Sequence, residues 1–193
     1  MALDVKTQLV IVSAWGGLSG LLLAILSKSA LRHLACIWAG MIASISLLEA
    51  WVKFRAPFVR RHVAFDVGRF VFEALNRAEC GVCASMWAYR AFLPRHGSVS
   101  TADTILACVT AVLLYQALLG GPVLQQRAEQ IIAEELKSAQ TALTAPESKA
   151  LQAIQSRRPM PGPTSCRVHH GAYVVGELLK IALLVAYASG KSD

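Results

Sequence analysis

Long uncharged runs, broken by short polar or basic punctuation, set the plan of this chain. Residues 9 to 27, LVIVSAWGGLSGLLLAILS, carry no charge, and a helix needs about 20 apolar residues to cross a hydrocarbon layer of roughly 30 Å. The pattern predicts spans at about 8–27, 34–52, 67–92, 102–119 and 171–188. Gly16, Gly17 and Gly20 mark the first, and Ala39, Gly40, Ala43 and Ser44 the second; small residues on one face let helices approach closely in lipid. Lys28, Arg32 and His33 read as a tight polar turn between them.

Punctuation fixes the other boundaries. Pro57, among Lys53, Arg55, Arg60, Arg61 and His62, forbids simple continuation of the second helix. Asp66 is placed to cap a third helix. Pro94 and Gly97 end that helix, and SVSTAD offers caps for the next. Gly120, Gly121 and Pro122 predict a stop after the fourth span, with Pro122 in the first turn of a new amphipathic helix over about 122–143. Residues 144 to 168, rich in Pro, Ser and charge, predict an irregular linker with one helical turn around Leu151 to Ile154.

The third helix carries unusual polarity. At 3.6 residues per turn, Glu73, Asn76, Arg77, Cys80, Cys83 and Trp87 form one stripe, and Phe72, Leu75, Val82 and Met86 another. With Glu79, these polar groups must face protein or water, because an ionisable side chain in a bilayer costs about 2.5 kcal/mol or more unless paired or snorkelling. Glu73 and Arg77 are spaced to neutralise each other, as are Glu49 and Lys53, and Glu177 and Lys180 inside the last span.

Composition sharpens this picture. The 193 residues are 55% hydrophobic and 16% charged, the balance of a single oily domain over 1–193. The net charge of +7 gathers at the ends of apolar segments rather than along a helix face, which points to anionic lipid headgroups and not to nucleic acid. Five scattered cysteines do not make a secreted disulfide framework, and the N-terminus lacks an Arg-rich transit pattern, so the first run reads as a retained span. With five spans, Lys6 and the two long connectors, 53–69 and 122–169, carry 12 Lys or Arg against 5 on the opposite side. That bias predicts the N-terminus and both connectors inside and the C-terminus outside.

Several constellations bear on chemistry. Cys80 and Cys83 form a C-x-x-C, a spacing suited to dithiol exchange or two metal ligands; Arg77 one turn earlier favours a thiolate and apolar burial opposes it. Packing cysteines are the plainer reading. His169 and His170 invite a metal or haem reading with His33 or His62, but adjacent histidines point about 100° apart on a helix. No Glu-x-x-His pattern completes a carboxylate metal cluster. Phosphate-binding glycine loops, a nucleophile elbow and metalloprotease motifs are absent from the sequence. No cofactor is therefore expected beyond lipid contacts, and enzymatic activity is not the favoured reading.

Trp51-Val52-Lys53-Phe54 ending a helix, a basic connector, two further spans, a charged amphipathic helix and His170-Gly171 opening a last span occur in that order. Over about residues 33–190 the chain resembles the transmembrane protein 205-like family, small polytopic proteins built around a domain of unknown function. It departs from that family in lacking Gln-Ser-Lys and Phe-Pro residues after the connector and in its additional first span. The resemblance implies a helical membrane bundle and transfers no catalytic residue.

The sequence thus predicts an all-α polytopic membrane bundle of about five transmembrane helices and one amphipathic surface helix. Three functions are compatible with it. One is a structural or accessory component of a membrane assembly, partnered by other membrane subunits, with Glu73, Asn76, Arg77, Glu79, Glu177 and Lys180 as interhelical locks. The second is a proton or small-solute route through those same residues. The third is a thiol-redox or metal protein centred on Cys80 and Cys83.

Overall fold

Apolar side chains face outward and charges face inward on the last helix of this chain, the reverse of a water-soluble helix. The computed structural model describes residues 29–92, 100–138, 144–156 and 163–190, predominantly helical and with no strand among them. The predicted first span, 8–27, lies outside the described residues. The helices are α1 (Ala30–Val52), α2 (Arg61–Phe92), α3 (Thr101–Ser138), α4 (Ala145–Gln155) and α5 (Pro163–Ser189). Among the described residues three stretches, Ala30–Val52, Thr101–Ser138 and Arg167–Ser189, are long and apolar enough to cross a membrane.

Helix α5 is the centre of the packing: it lies against α1 and against both halves of α3, while α2 packs on α1 and on the second half of α3. Each helix contributes a stripe at i, i+3, i+4 spacing. Leu31, Leu34, Ala35, Trp38 and Ile42 come from α1, Val82, Cys83 and Met86 from α2, Leu106, Val109 and Leu113 from α3, and Leu184 and Tyr187 from α5. The opposite faces are equally oily: Leu47 and Leu48, Leu114, Leu118 and Leu119, and Val174, Val175, Leu178, Leu179 and Val185 are exposed. When the outside is as apolar as the core, hydrophobic burial hardly tells inside from outside, and packing and polar ties decide how the helices sit.

Two helices contain a widened turn. In α1 residues Ala43–Glu49 are π-helical, and in α3 Gln116–Gly120 are. The second is the reason that Gly120, Gly121 and Pro122 do not stop the helix, contrary to the sequence expectation. Proline lacks an N–H and its ring clashes with the carbonyl four residues back, and a π-turn immediately before it loosens that register. Gly121 donates to the Gln116 carbonyl in this turn, and a Cβ on Gly121 would lie 2.7 Å from the same oxygen. The helix therefore runs on to Ser138, so the segment predicted as a separate surface helix is the second half of α3, and residues 139–143 lie outside the described ones.

Other boundaries also move. Arg32 and His33 belong to α1 rather than to a turn, since the helix starts at Ala30. α2 starts at Arg61, so Asp66 is inside it and accepts from Arg69 Nε at 2.7 Å instead of capping. The predicted irregular linker holds α4, longer than one turn, because Thr144 and Glu147 form a capping box and Pro146 stands in the first turn. α5 opens at Pro163, well before residue 171. By contrast the fourth span starts as the SVSTAD stretch suggests, with a reciprocal Ser100–Asp103 capping box.

The charged ends of the helices gather together. Arg69 reaches Glu129 of α3 at 3.1 Å, and Arg61 and His62 lie within 3.5 and 3.7 Å of Glu135. His62 also stands 4.0 Å from Glu147 of α4. The start of α2, the second half of α3 and α4 thus share one polar end of the molecule.

Candidate functional site

Glu79 and Lys180 are both fully buried although each carries an ionisable group. Helix periodicity puts them there. On α2, Leu75, Glu79, Val82 and Met86 follow one another at steps of four, three and four, so Glu79 occupies an apolar stripe. On α5, Tyr173, Glu177, Lys180, Leu184 and Tyr187 do the same. Helix α2 meets α5 through these long side chains rather than through close backbones. Gly176 allows α5 to close on α3, since a Cβ there would stand 3.0 Å from Gln116 Nε2 and 3.1 Å from Val112.

A single ammonium joins two carboxylates. Lys180 Nζ donates to Glu79 Oε1 at 2.5 Å and lies 3.2 Å from Glu177 Oε1. Trp38 Nε1 of α1 donates to the same Glu79 oxygen at 2.8 Å. Glu177 accepts from Gln116 Nε2 of α3 at 2.9 Å on Oε1 and from Ser46 Oγ of α1 at 2.9 Å on Oε2. Gln116 Nε2 also donates to the Tyr173 carbonyl at 3.1 Å, and Tyr173 hydroxyl donates to Asn76 Oδ1 at 3.2 Å. Ser46 and Gln116 both sit in the π-turns, so each widened turn aims a polar group at Glu177. Such turns recur at functional sites in helices.

The arrangement holds α1, α2, α3 and α5 with polar ties where apolar packing discriminates weakly. Desolvating ions costs several kcal/mol each, on the order of what a well-built pair recovers, so the cluster specifies which helices meet more than it stabilises them. Two buried oxygens in it have no hydrogen-bond partner, Glu79 Oε2 and Gln116 Oε1.

The remaining sequence candidates lie nearer the edge. Glu73 and Arg77 pair on α2 as their spacing predicts, but their side chains are 32% and 33% exposed, so this pair is not in the interior. Glu49 and Lys53 pair at 3.1 Å, with the Lys53 ammonium 5.4 Å from the Phe72 ring centre. Arg90 clamps the start of α3 through Asp103 and Ser100, each at 2.7 Å.

Cys80 and Cys83 do not share an environment. Cys80 is exposed while Cys83 is buried with its Sγ 3.3 Å from Thr110 Oγ1, which also accepts from Trp87 Nε1 at 2.9 Å. The helix therefore turns the two thiols to different surroundings. His169 contacts the Tyr115 hydroxyl through Nδ1 at 3.0 Å and stacks on that ring, whereas His170 is exposed. Among the described residues no group of three or more His, Cys, Asp or Glu side chains is arranged to hold a metal ion.

Sequence reading singled out Glu79, Glu177 and Lys180 but paired only the last two. Glu79 could have been assigned to the interior because it interrupts the Leu75–Val82–Met86 stripe. Gln116 stands out as one of the few polar residues of its apolar span, whereas Trp38, Ser46 and Tyr173 carry no such mark; only the meeting of distant helices gives these four their partners. No protein-family model, curated protein or solved structure matches the chain.

Proposed function

We propose that this chain is a multi-pass integral membrane protein that serves as a non-enzymatic component of a membrane assembly, with the Glu79–Lys180–Glu177 cluster as its interhelical lock. The carrying observation is that Lys180 is spent on two carboxylates from two helices while apolar side chains face outward all round. Ions consumed by one another hold a shape, and oily outer faces are open to lipid or to neighbouring subunits.

In this reading α1, α3 and α5 cross the bilayer, and α2 is a further crossing that turns its charges inward or to its ends. Helix α3, 38 residues and thus about 57 Å long, exceeds the hydrocarbon thickness, so its charged second half extends into water. There it meets the start of α2 and α4, which supports placing both long connectors on one side, the positive-inside face. The likeness to the transmembrane protein 205-like family at Trp51–Phe54 and His170–Gly171 belongs to the same proposal.

Purification from native membranes in mild detergent tests the assembly: the chain is expected to migrate with companion proteins, and a lone monomer would sink the reading. A second reading, a route for protons or small solutes, is favoured by the two unpartnered buried oxygens at the junction of the helices. Replacing Glu177 should then abolish flux into reconstituted vesicles while the bundle stays folded; unchanged flux removes that reading.

A further inference from the structure

We infer that the cluster is a proton-binding site, in which Glu79 carries an exchangeable proton on Oε2 while Glu177 stays ionised against Lys180. This deepens the second of the two functional readings, and it stands or falls on the isolated chain whether or not companion proteins exist.

Charge counting comes first. Two carboxylates face one ammonium, and Glu79, Lys180 and Glu177 are 0%, 0% and 3% exposed. Fully ionised, the cluster carries one uncompensated negative charge, whose burial costs several kcal/mol. Glu73 and Arg77 neutralise each other and contribute no net charge to offset it. The charged groups acting on Glu79 are Lys180 and Glu177 of α5. The other titratable neighbours are the Tyr173 phenol of α5 and the Cys80 and Cys83 thiols of α2, all uncharged near neutrality. From α1 and α3 the cluster receives Trp38, Ser46 and Gln116, which have no charge. One proton brings the sum to zero.

Hydrogen bonding says which carboxylate takes it. Glu177 accepts on both oxygens, from Ser46, Gln116 and Lys180, the acceptor-only pattern of an ionised carboxylate. Glu79 accepts twice on Oε1 and has a bare, buried Oε2. A proton added there converts an orphaned acceptor into a donor. The cluster's other orphan, Gln116 Oε1, is an acceptor, so this network has acceptors in surplus and lacks a donor. Binding is a simple addition, carboxylate plus proton giving carboxylic acid, and needs no co-reactant. Loss of the proton leaves a net negative charge where α1, α2, α3 and α5 meet, so proton release is linked to helix packing.

Infrared spectroscopy of the purified full-length chain in lipid nanodiscs at neutral pH tests this. The wild type is expected to show a protonated-carboxyl C=O stretch that shifts in D2O. Glu79→Gln removes the group itself, and Gln mimics the neutral acid well enough for the bundle to remain folded. Glu177→Gln removes the charge that demands the proton, so the band should vanish there also, and this variant keeps the test open if Glu79→Gln does not fold. Glu73→Gln should leave the band in place. No such band in the wild type, or one that persists in Glu79→Gln or Glu177→Gln, overturns the proposal.

Discussion

Lys180 of α5 reaches Glu79 of α2 at 2.5 Å across 101 positions of sequence, and neither side chain touches solvent. Removing the ammonium strands the buried Glu177 carboxylate and takes a donor from Glu79 Oε1. Lys180→Met is therefore expected to destabilise the bundle by about 3–5 kcal/mol, the usual result of breaking a buried ionic tie from one side. Thermal unfolding in detergent measures it, and an unchanged midpoint would contradict the lock.

Replacing the whole cluster should behave differently. A Glu79→Gln, Glu177→Gln, Lys180→Met triple variant leaves no ion to compensate, and its stability is expected within about 1–2 kcal/mol of the wild type. Its oligomeric state and companion proteins, compared with those of the wild type, show whether the charges serve specificity beyond stability.

Trp38 Nε1–H shares Glu79 Oε1 with Lys180. Trp38→Phe keeps an aromatic ring in the α1 stripe and deletes the donor, which should cost about 1–3 kcal/mol through the lost hydrogen bond and reduced packing. A double-mutant cycle with Glu79→Gln is expected to show coupling between the two positions, and additive losses would place the effect in packing alone.

Gly176 lies against Gln116 and Val112 with no room for a large side chain. Gly176→Leu should wedge α5 from α3 and lose about 1–3 kcal/mol by overpacking, together with the Gln116–Glu177 hydrogen bond. Cysteine cross-linking between α3 and α5 checks the displacement; an undiminished yield would show that the helices do not separate.

At the polar end, the backbone N–H and hydroxyl of Thr144 donate to Glu147 at 2.7 Å each and hold its carboxyl below the usual range. A pKa depressed in the folded state contributes stability that is complete above the ordinary carboxylate value and is lost as pH falls through the lowered one. His62, 4.0 Å away, adds attraction once protonated. The protection factors of the α4 amides, taken relative to intrinsic exchange at each pH, should fall on acidification through that window in the wild type, and Glu147→Gln should flatten the dependence. Protection factors that stay constant with pH in the wild type would remove the capping box from the account.

Cys80 should react with small thiol reagents well before Cys83, which is buried against Thr110. A dithiol-specific arsenical that bridges both would restore the redox reading of the C-x-x-C.

Hydrophobic periodicity and punctuation decided the all-helical class, the apolar runs of α1, α3 and α5, and the local pairs Glu49–Lys53, Glu73–Arg77 and Glu177–Lys180, because interactions three or four residues apart follow from helix pitch alone. Helix ends were less legible. Gly121 and Pro122 look like a stop, yet a π-turn before them loosens the register that the proline would break, and Gln116, which opens that turn, is held by Glu177 and the Tyr173 carbonyl of another helix. Tertiary structure alone decided that Lys180 answers to Glu79 as well as Glu177, that Trp38 and Ser46 complete the cluster, and that Glu73 and Arg77 stay at the edge. Those outcomes depend on how four helices rotate about their axes, and where both faces of a helix are oily, residue patterning along one chain does not set that rotation; the mutual pairing of buried charges does.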